Sequence, residues 1–257
     1  MISPLAFVDA SAKIGKNVSI APFAFIDADT EIGDGCVIGA HASILKGSRI
    51  GQNNKIHEGA VIGAEPQDFR YEGQKSRVII GDGNDIRENV VIARGMSEEG
   101  ATRIGNGCYL MEGVHVCHDA IINDSCVIGL KSIVAGGVTI DSHVILSNAV
   151  ILQQDVHIGS WSMIQSGCRV GKDIPPYIMV SGNPASYHGI NSMVLKNNRQ
   201  KAFSEETISH IMTAYLIIYQ GGVSLQDAVM RIEEQVPGSE EIDSILSFIN
   251  TSKGMLS

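Results

Sequence analysis

The chain repeats with a period of six. Twenty-nine positions at six-residue spacing run from Ile2 to Val170, and all but Asp68, Gln74 and Glu98 are Ile, Leu or Val. An α-helix repeats near 3.6 residues and a strand near 2, so a longer fixed period marks stacked units that bury one continuous core. A second, mostly small series lies two residues before each aliphatic slot: Ala12, Ala24, Cys36, Ala42, Ser48, Cys108, Ala120, Cys126 and Ser132. Residues two apart on a strand share a face, so each hexad sends one large and one small side chain inward. Glycine directly follows many aliphatic slots, as at Gly15, Gly33, Gly51, Gly105 and Gly129, where a sharply turning chain gains from having no Cβ. Short strands joined by tight corners make a solenoid.

This pattern resembles the hexapeptide-repeat acyltransferase superfamily, whose members form left-handed parallel β-helices with three hexads, or eighteen residues, per triangular coil. The handedness and the coil length are implied by that resemblance. The breaks in the series agree with it: loops are predicted near 64–79 and 95–101, and both leave the phase intact. Long excursions from a compact repeat are usually functional. After Val170 the series stops at Lys172-Asp173-Ile174-Pro175-Pro176, and from Ser204 the spacing becomes helical. Ile208, Ile211, Met212, Tyr215 and Ile218 form one stripe, with Ser204 and Ser224 as predicted helix starts. The expected organisation is a mainly β protein: a hexapeptide β-helix over 1–190 and an α-helical unit over 191–257 that caps the last coil.

With 257 residues, 44% of them hydrophobic and 18% charged, the chain suits a globular protein with a substantial core. A net charge of −9 argues against a general nucleic-acid binder. Lys172, Lys196, Arg199 and Lys201 nonetheless gather after the repeats, a candidate basic patch for an acidic partner. Met1-Ile2-Ser3-Pro4 is already in repeat phase and no apolar run approaches about 18 residues, so neither a signal peptide nor membrane insertion is expected and the expected address is cytoplasmic. Four of the five cysteines (Cys36, Cys108, Cys126, Cys168) fall in the small inward slot, as compact apolar groups without a disulfide.

The densest polar segment is Met111 to Asp119, containing His115 and the pair His118-Asp119. A neutral imidazole beside a carboxylate is a candidate general base near pH 7. Steps of eighteen from His118 reach Gly136 and Gln154, which places a base, a bare backbone amide and a side-chain amide in one column. Such a column offers a proton acceptor, an oxyanion donor and a substrate anchor.

Within the superfamily, the order of features is similar to the UDP-N-acetylglucosamine 3-O-acyltransferases. The marks are Gln67-Asp68-Phe69-Arg70-Tyr71-Glu72-Gly73, Ile86-Arg87-Glu88, His115 through Asp119, Pro175-Pro176-Tyr177, Gly182-Asn183-Pro184 and the helical tail. The resemblance implies transfer of a 3-hydroxyacyl chain from the phosphopantetheine of acyl carrier protein to the 3-hydroxyl of UDP-N-acetylglucosamine, the first step of lipid A synthesis. No further cofactor and no metal are implied, and the assembly implied is a homotrimer with sites between subunits. It makes His118 the base, Gly136 the oxyanion donor and Asp119 the orienting group. It makes Gln67, Asp68, Arg70, His115, Gln154 and Asn191 substrate contacts, Ser166 a position bearing on acyl length, and Lys196 or Arg199 diphosphate ligands. The chain departs from the family pattern at Gly137, Gln153 and Pro184, where relatives carry histidine, and at Asn197-Asn198, where an Arg pair is expected.

Three other functions stay open from the residues alone: a coenzyme A acetyltransferase, a zinc hydratase of the γ-carbonic anhydrase kind, and a purely structural solenoid. His41, His57, His143, His157, His188 and His210 show no partner pattern in the sequence and are expected at the surface or at corners.

Overall fold

In the computed structural model, described here for residues 1–197, 201 and 203–256, the chain winds as a left-handed parallel β-helix followed by four helices. Its strands build three faces of a triangular prism. The first face has nine strands, from Phe7–Val8 to Arg169–Val170, and the second has eight, from Lys13–Ile14 to His157–Ile158. The third has ten, beginning at Ser19–Ile20 and closing with Ile178–Ser181 and the antiparallel Ser186–Ile190. Regular coils pair eighteen residues apart, as in Phe7 with Phe25 and His115 with Ile133.

Each aliphatic slot points into the prism: Ile26, Ile44, Ile62, Ile92, Val116, Val134 and Leu152 are fully buried along the first face alone. Cys36, Cys108, Cys126 and Cys168 lie in this core as free thiols. The glycines after the slots have a reason the period alone did not show. A Cβ on Gly33 would come within 2.5 Å of the Gly51 carbonyl, and one on Gly129 within 2.4 Å of Ser147 backbone. It is therefore the approach of the next coil that demands glycine at these positions, and left-handed φ occurs two residues further on, at Asn17, Gly35, Asn53, Gly107 and Lys131.

The first loop lengthens its coil, so that Ile62 pairs with Ile92, and the second makes Ile80 pair with Ile104. Both insertions are whole multiples of the hexad, which is why the aliphatic phase survives them. Both leave the prism at one edge, where the first face turns into the second: from Val61–Ala64 to Arg77–Ile80, and from Val91–Ala93 to Ala101–Ile104.

The helices are α1 (Ser192–Asn197), α2 (Glu205–Gln220), α3 (Leu225–Gln235) and α4 (Glu240–Thr251). Ser204 and Ser224 cap α2 and α3, each side-chain oxygen accepting a backbone N–H three residues on. On α2 the buried face is Ile208, Ile211, Ala214 and Tyr215, whereas Met212, expected in that stripe, is 47% exposed. The helical unit is tied to the last coils. Tyr215, fully buried, donates to the Pro176 carbonyl (2.5 Å), and Asp173 accepts from Ser252 Oγ (2.7 Å). Phe203 packs edge-on against Trp161. Among the described residues no helix is long and apolar enough to cross a membrane.

Candidate active site

His118 lies in the turn between His115–Val116 and Ile121–Ile122, on the same edge that carries both loops. Its Nδ1 is 3.0 Å from Asp119 Oδ2, and its Nε2 is 3.7 Å from Asp68 Oδ2 in the first loop. The imidazole is thus flanked by two carboxylates, with its side chain 12% exposed. A proton on Nδ1 shared with Asp119 leaves the Nε2 lone pair to accept another.

The coil arithmetic holds at this edge. Gly136 is buried directly beneath the ring: a Cβ there would lie 2.6 Å from His118 Cε1 and 2.8 Å from Nε2. The pairing of Val134 with Leu152 carries the column on to Gln154, which is exposed.

Asp68 is held by Arg70, whose backbone N–H and Nε both donate to Oδ1 at 2.9 Å while Nη2 donates to Oδ2 at 2.8 Å. These bonds from Arg70 push the Asp68 carboxyl well below the usual carboxylate range, so it is an anion beside His118. Gln67 is exposed next to it, and Phe69 projects fully into solvent. His115 is half-buried on the first face, and burial pulls its pKa down, which keeps the ring neutral.

Sequence reasoning missed the residues that hold this arrangement in place. The second loop meets Asp119 through the Met96 backbone N–H, 3.1 and 3.3 Å from its two carboxylate oxygens, while the Asp119 N–H donates to the buried Thr102 Oγ1 (2.9 Å). Arg94, only 3% exposed, ties the two loops together: Nη1 donates to the Gly63 carbonyl (3.1 Å), and Nη2 reaches Glu65 Oε1 (2.9 Å) and the Tyr71 hydroxyl (2.7 Å). The loops also pair through backbone, with Glu99 N–H on the Lys75 carbonyl at 2.8 Å. An arginine placed between the two insertions was the available signal, but nothing in the spacing says that it is buried or which carbonyls it reaches.

Other candidates stand elsewhere on the prism. Asn191 is 2% exposed, and its Nδ2 donates to the Trp161 carbonyl (2.9 Å) at the edge between the second and third faces. Ser166 is exposed in the turn from Met163–Ile164 to Arg169–Val170, the remaining edge. Lys196 is exposed in the last turn of α1, and Arg199 lies outside the described residues. A single chain therefore gathers His118, Asp119, Asp68, Arg70, Gly136 and Gln154, but not Asn191 or Ser166.

Several of the other histidines have partners that the sequence did not show, among them His41, whose ring stacks on Phe23 with centroids 5.2 Å apart. His57 Nε2 is 2.9 Å from Asp85, His143 stacks on Trp161 with ring centroids 4.0 Å apart, and His157 Nε2 is 3.0 Å from Asp141. Among the described residues, one histidine–carboxylate group has ligand atoms mutually within 4.8 Å, namely His57, Glu58 and Glu88. It includes neither His115 nor His118, and Glu88 is already engaged by Arg87 at 2.9 Å.

Comparison with known proteins bears on the family and the fold. Residues 173–256 match the family model described as UDP N-acetylglucosamine O-acyltransferase, domain 2, and residues 11–46 and 29–64 match the bacterial transferase hexapeptide model. An acyl-[acyl-carrier-protein]–UDP-N-acetylglucosamine O-acyltransferase from Syntrophobacter fumaroxidans is 39% identical over 98% of this chain and 97% of its own. The corresponding enzyme of Saccharophagus degradans is 41% identical over 96% and 94%. The crystal structure of a UDP-N-acetylglucosamine acyltransferase from Bacteroides fragilis superposes with a TM-score of 0.97 at 49% identity, covering 100% of both chains. With homology running through the repeats, both loops and the helical tail alike, the chain belongs to the acyl-[acyl-carrier-protein]–UDP-N-acetylglucosamine O-acyltransferases, a family of hexapeptide-repeat acyltransferases.

Proposed function

We propose that the chain transfers a (3R)-3-hydroxyacyl group from acyl carrier protein to the 3-hydroxyl of UDP-N-acetylglucosamine, the first step of lipid A biosynthesis, with His118 as general base. The observation that carries this reading is the His118 ring, oriented by Asp119 at 3.0 Å and packed against a glycine whose missing Cβ makes room for it. His118 Nε2 takes the proton of the sugar 3-hydroxyl as its oxygen attacks the thioester carbonyl. The tetrahedral oxyanion then collapses, the C–S bond breaks, and the departing pantetheine sulfur recovers the proton from Nε2. Asp119 steadies the transient imidazolium. Positioned proton transfer of this kind is worth roughly 10² to 10⁴ in rate.

The Gly137 N–H already donates to the His118 carbonyl (3.1 Å), so within this turn the Gly136 N–H is the amide assigned to the oxyanion. One such donor contributes about 3 to 4 kcal/mol in comparable sites. Arg70 and the Asp68 anion it holds, with Gln67, His115 and Gln154, border the base and take the sugar and donor contacts. The acyl donor needs no cofactor beyond its own phosphopantetheine, and the enzyme is assigned to the cytoplasm.

Asn191, Ser166, Lys196 and Arg199 join the reaction in this reading only if a second solenoid lies against the first. A homotrimer fits the exposed apolar side chains that the first face presents, among them Phe7, Phe25, Ile133 and Ile151. The test is His118→Ala assayed with hydroxyacyl carrier protein and UDP-N-acetylglucosamine. Turnover should fall by at least about 10² with the melting profile retained, and near wild-type turnover would remove His118 from the mechanism.

A further inference from the structure

Two side chains lean over the same coil from opposite directions. His118 leans forward, with its Cε1 2.6 Å from where a Cβ on Gly136 would stand. Asp155 leans back. The in-register pairing of Val134 with Leu152 puts it one coil beyond Gly137, and a Cβ on Gly137 would collide with its Oδ1. Two adjacent glycines thus make room for an imidazole over one and a carboxylate over the other. Neighbouring Cα atoms lie about 3.8 Å apart, which keeps His118 Nε2 and Asp155 Oδ1 within roughly 12 Å of each other.

The backbone of Asp155 is fixed. Its N–H donates to the Gly136 carbonyl (3.0 Å), and its φ of 60° is left-handed, a conformation in which aspartate and asparagine are enriched. Asn17, Asn53 and Ser125 fill the same step of the hexad with left-handed φ and no charge, so the turn by itself gives the Asp155 carboxylate no task. The other two carboxylates at this edge are occupied: Arg70 donates to both oxygens of Asp68, and Asp119 holds His118 and the Met96 N–H. Asp155 is exposed, and among the described residues no hydrogen bond or ion pair engages its carboxylate. It still faces the first loop. The Arg70 guanidinium is held above its ordinary pKa first by its hydrogen bonds to Asp68, and the charges of Asp68 and Asp155 add to them.

We infer that Asp155 is a substrate-binding residue that accepts hydrogen bonds from the 4- and 6-hydroxyls of the acceptor sugar. The inference rests on the proposed reaction, which brings the sugar 3-hydroxyl to His118 Nε2. The rest of the pyranose then lies within one ring's width of the base, and the ring with a hydrogen bond at either end covers the gap to Asp155. A carboxylate accepts at about four lone-pair positions and donates at none. It repels a diphosphate and finds no donor on an acyl chain, whereas sugar hydroxyls give it charge-assisted bonds.

The test uses Asp155→Gly and Asp155→Asn. Both replacements suit the turn, as Gly137 at φ 70° and Asn53 at φ 54° show at the same step, so the thermal melts should match wild type. In Asp155→Gly the KM for UDP-N-acetylglucosamine should rise about tenfold or more, with kcat within about threefold and the KM for hydroxyacyl carrier protein within about twofold. Asp155→Asn, which keeps one acceptor oxygen, should fall between. The 4-deoxy and 6-deoxy analogues of UDP-N-acetylglucosamine read the bonds themselves. Wild-type protein should use at least one of them about tenfold less efficiently than the parent, and Asp155→Gly should use that analogue and the parent alike. Equal use of the parent and both analogues by wild-type protein, discrimination that the glycine variant keeps, or a KM that rises for the carrier protein instead overturns the contact and leaves His118 as the base. No transfer to UDP-N-acetylglucosamine by wild-type protein overturns the reaction itself, and the sugar contact with it.

Discussion

Gly136→Ala is the sharpest perturbation of this site, because it adds one methyl group and removes no functional group. Gly136 does not occupy a left-handed conformation, so alanine is tolerated by the backbone. The added Cβ, however, would stand 2.6 Å from His118 Cε1 and 2.8 Å from Nε2, where ordinary contact begins at 3.4 Å. The ring must therefore retreat by about 0.8 Å, and its 3.0 Å contact with Asp119 cannot survive such a move unchanged. Displacements of about 1 Å in a catalytic group cost on the order of 10² in rate. Complete loss of the base sets the ceiling, near 10⁴.

The assay is kcat with both substrates saturating, alongside a thermal melt. We expect kcat to fall roughly 10²-fold. In a His118→Ala background the same methyl should change kcat by less than about threefold, because there is no ring left to displace, and this coupling is what a double-mutant cycle reports. If Gly136 matters only as a corner glycine, the melt moves and kcat per folded molecule does not. That outcome, or equal losses from Gly136→Ala with and without the imidazole, would refute the stacking argument.

Arg94→Gln should lower kcat by about 10² through loosened loops, since its guanidinium joins Gly63, Glu65 and Tyr71 on one side to the loop that meets Asp119 on the other; a kcat within twofold of wild type would show that the loops hold without it. Tyr215→Phe leaves the Pro176 carbonyl without its buried donor, a cost of about 1 to 3 kcal/mol, read as a lower midpoint in urea with unchanged slope. His157 is pulled down by burial, but its hydrogen bond to Asp141 and the charges of Asp141 and Asp173 win, leaving its pKa raised. A raised histidine contributes stability that is present below about pH 6.5 and lost as pH rises through the folded value. The stability gap between wild type and His157→Asn should therefore be larger at pH 6 than at pH 8.5, and a gap independent of pH would leave only the Phe248 contact to explain it.

The period of six made most of the prism legible, because every coil obeys the same packing rule and a slip of one residue would turn the outward-facing side of each strand into the core. The same regularity gave the His118–Gly136–Gln154 column, since in-register parallel strands turn sequence distance into spatial neighbours. What stayed hidden sits where the repeat is interrupted. Inside the insertions there is no ladder to convert number into position, so Arg94, Met96 and the backbone pairing of Lys75 with Glu99 could not be placed. The failed slots are now explained individually: Asp68 faces His118, the Gln74 side chain accepts from the Glu72 N–H (2.9 Å), and Glu98 accepts from the Lys75 N–H (3.0 Å). The tail was legible by its caps, but the antiparallel return Ser186–Ile190 was not, because a single short strand has no repeat to announce it.

A solenoid also explains why these parts lie on one edge. Each coil contacts only its neighbours, so a corner can be lengthened without disturbing the three ladders, provided the chain rejoins in phase. Insertion at successive coils of the same corner then stacks the new segments on each other, which is how Arg94 in the second loop comes to hold Tyr71 in the first. Because the next coil presents His118 at that same corner, both loops converge on its ring from one side, through Asp68 directly and through Asp119 by way of Met96. The core beneath, Ile62, Ile92 and Val116, is fully buried and shares none of these polar contacts. Stability and chemistry are thereby separated in space: substitutions in the loops change how the imidazole is held, and substitutions in the slots change whether the coils stack at all.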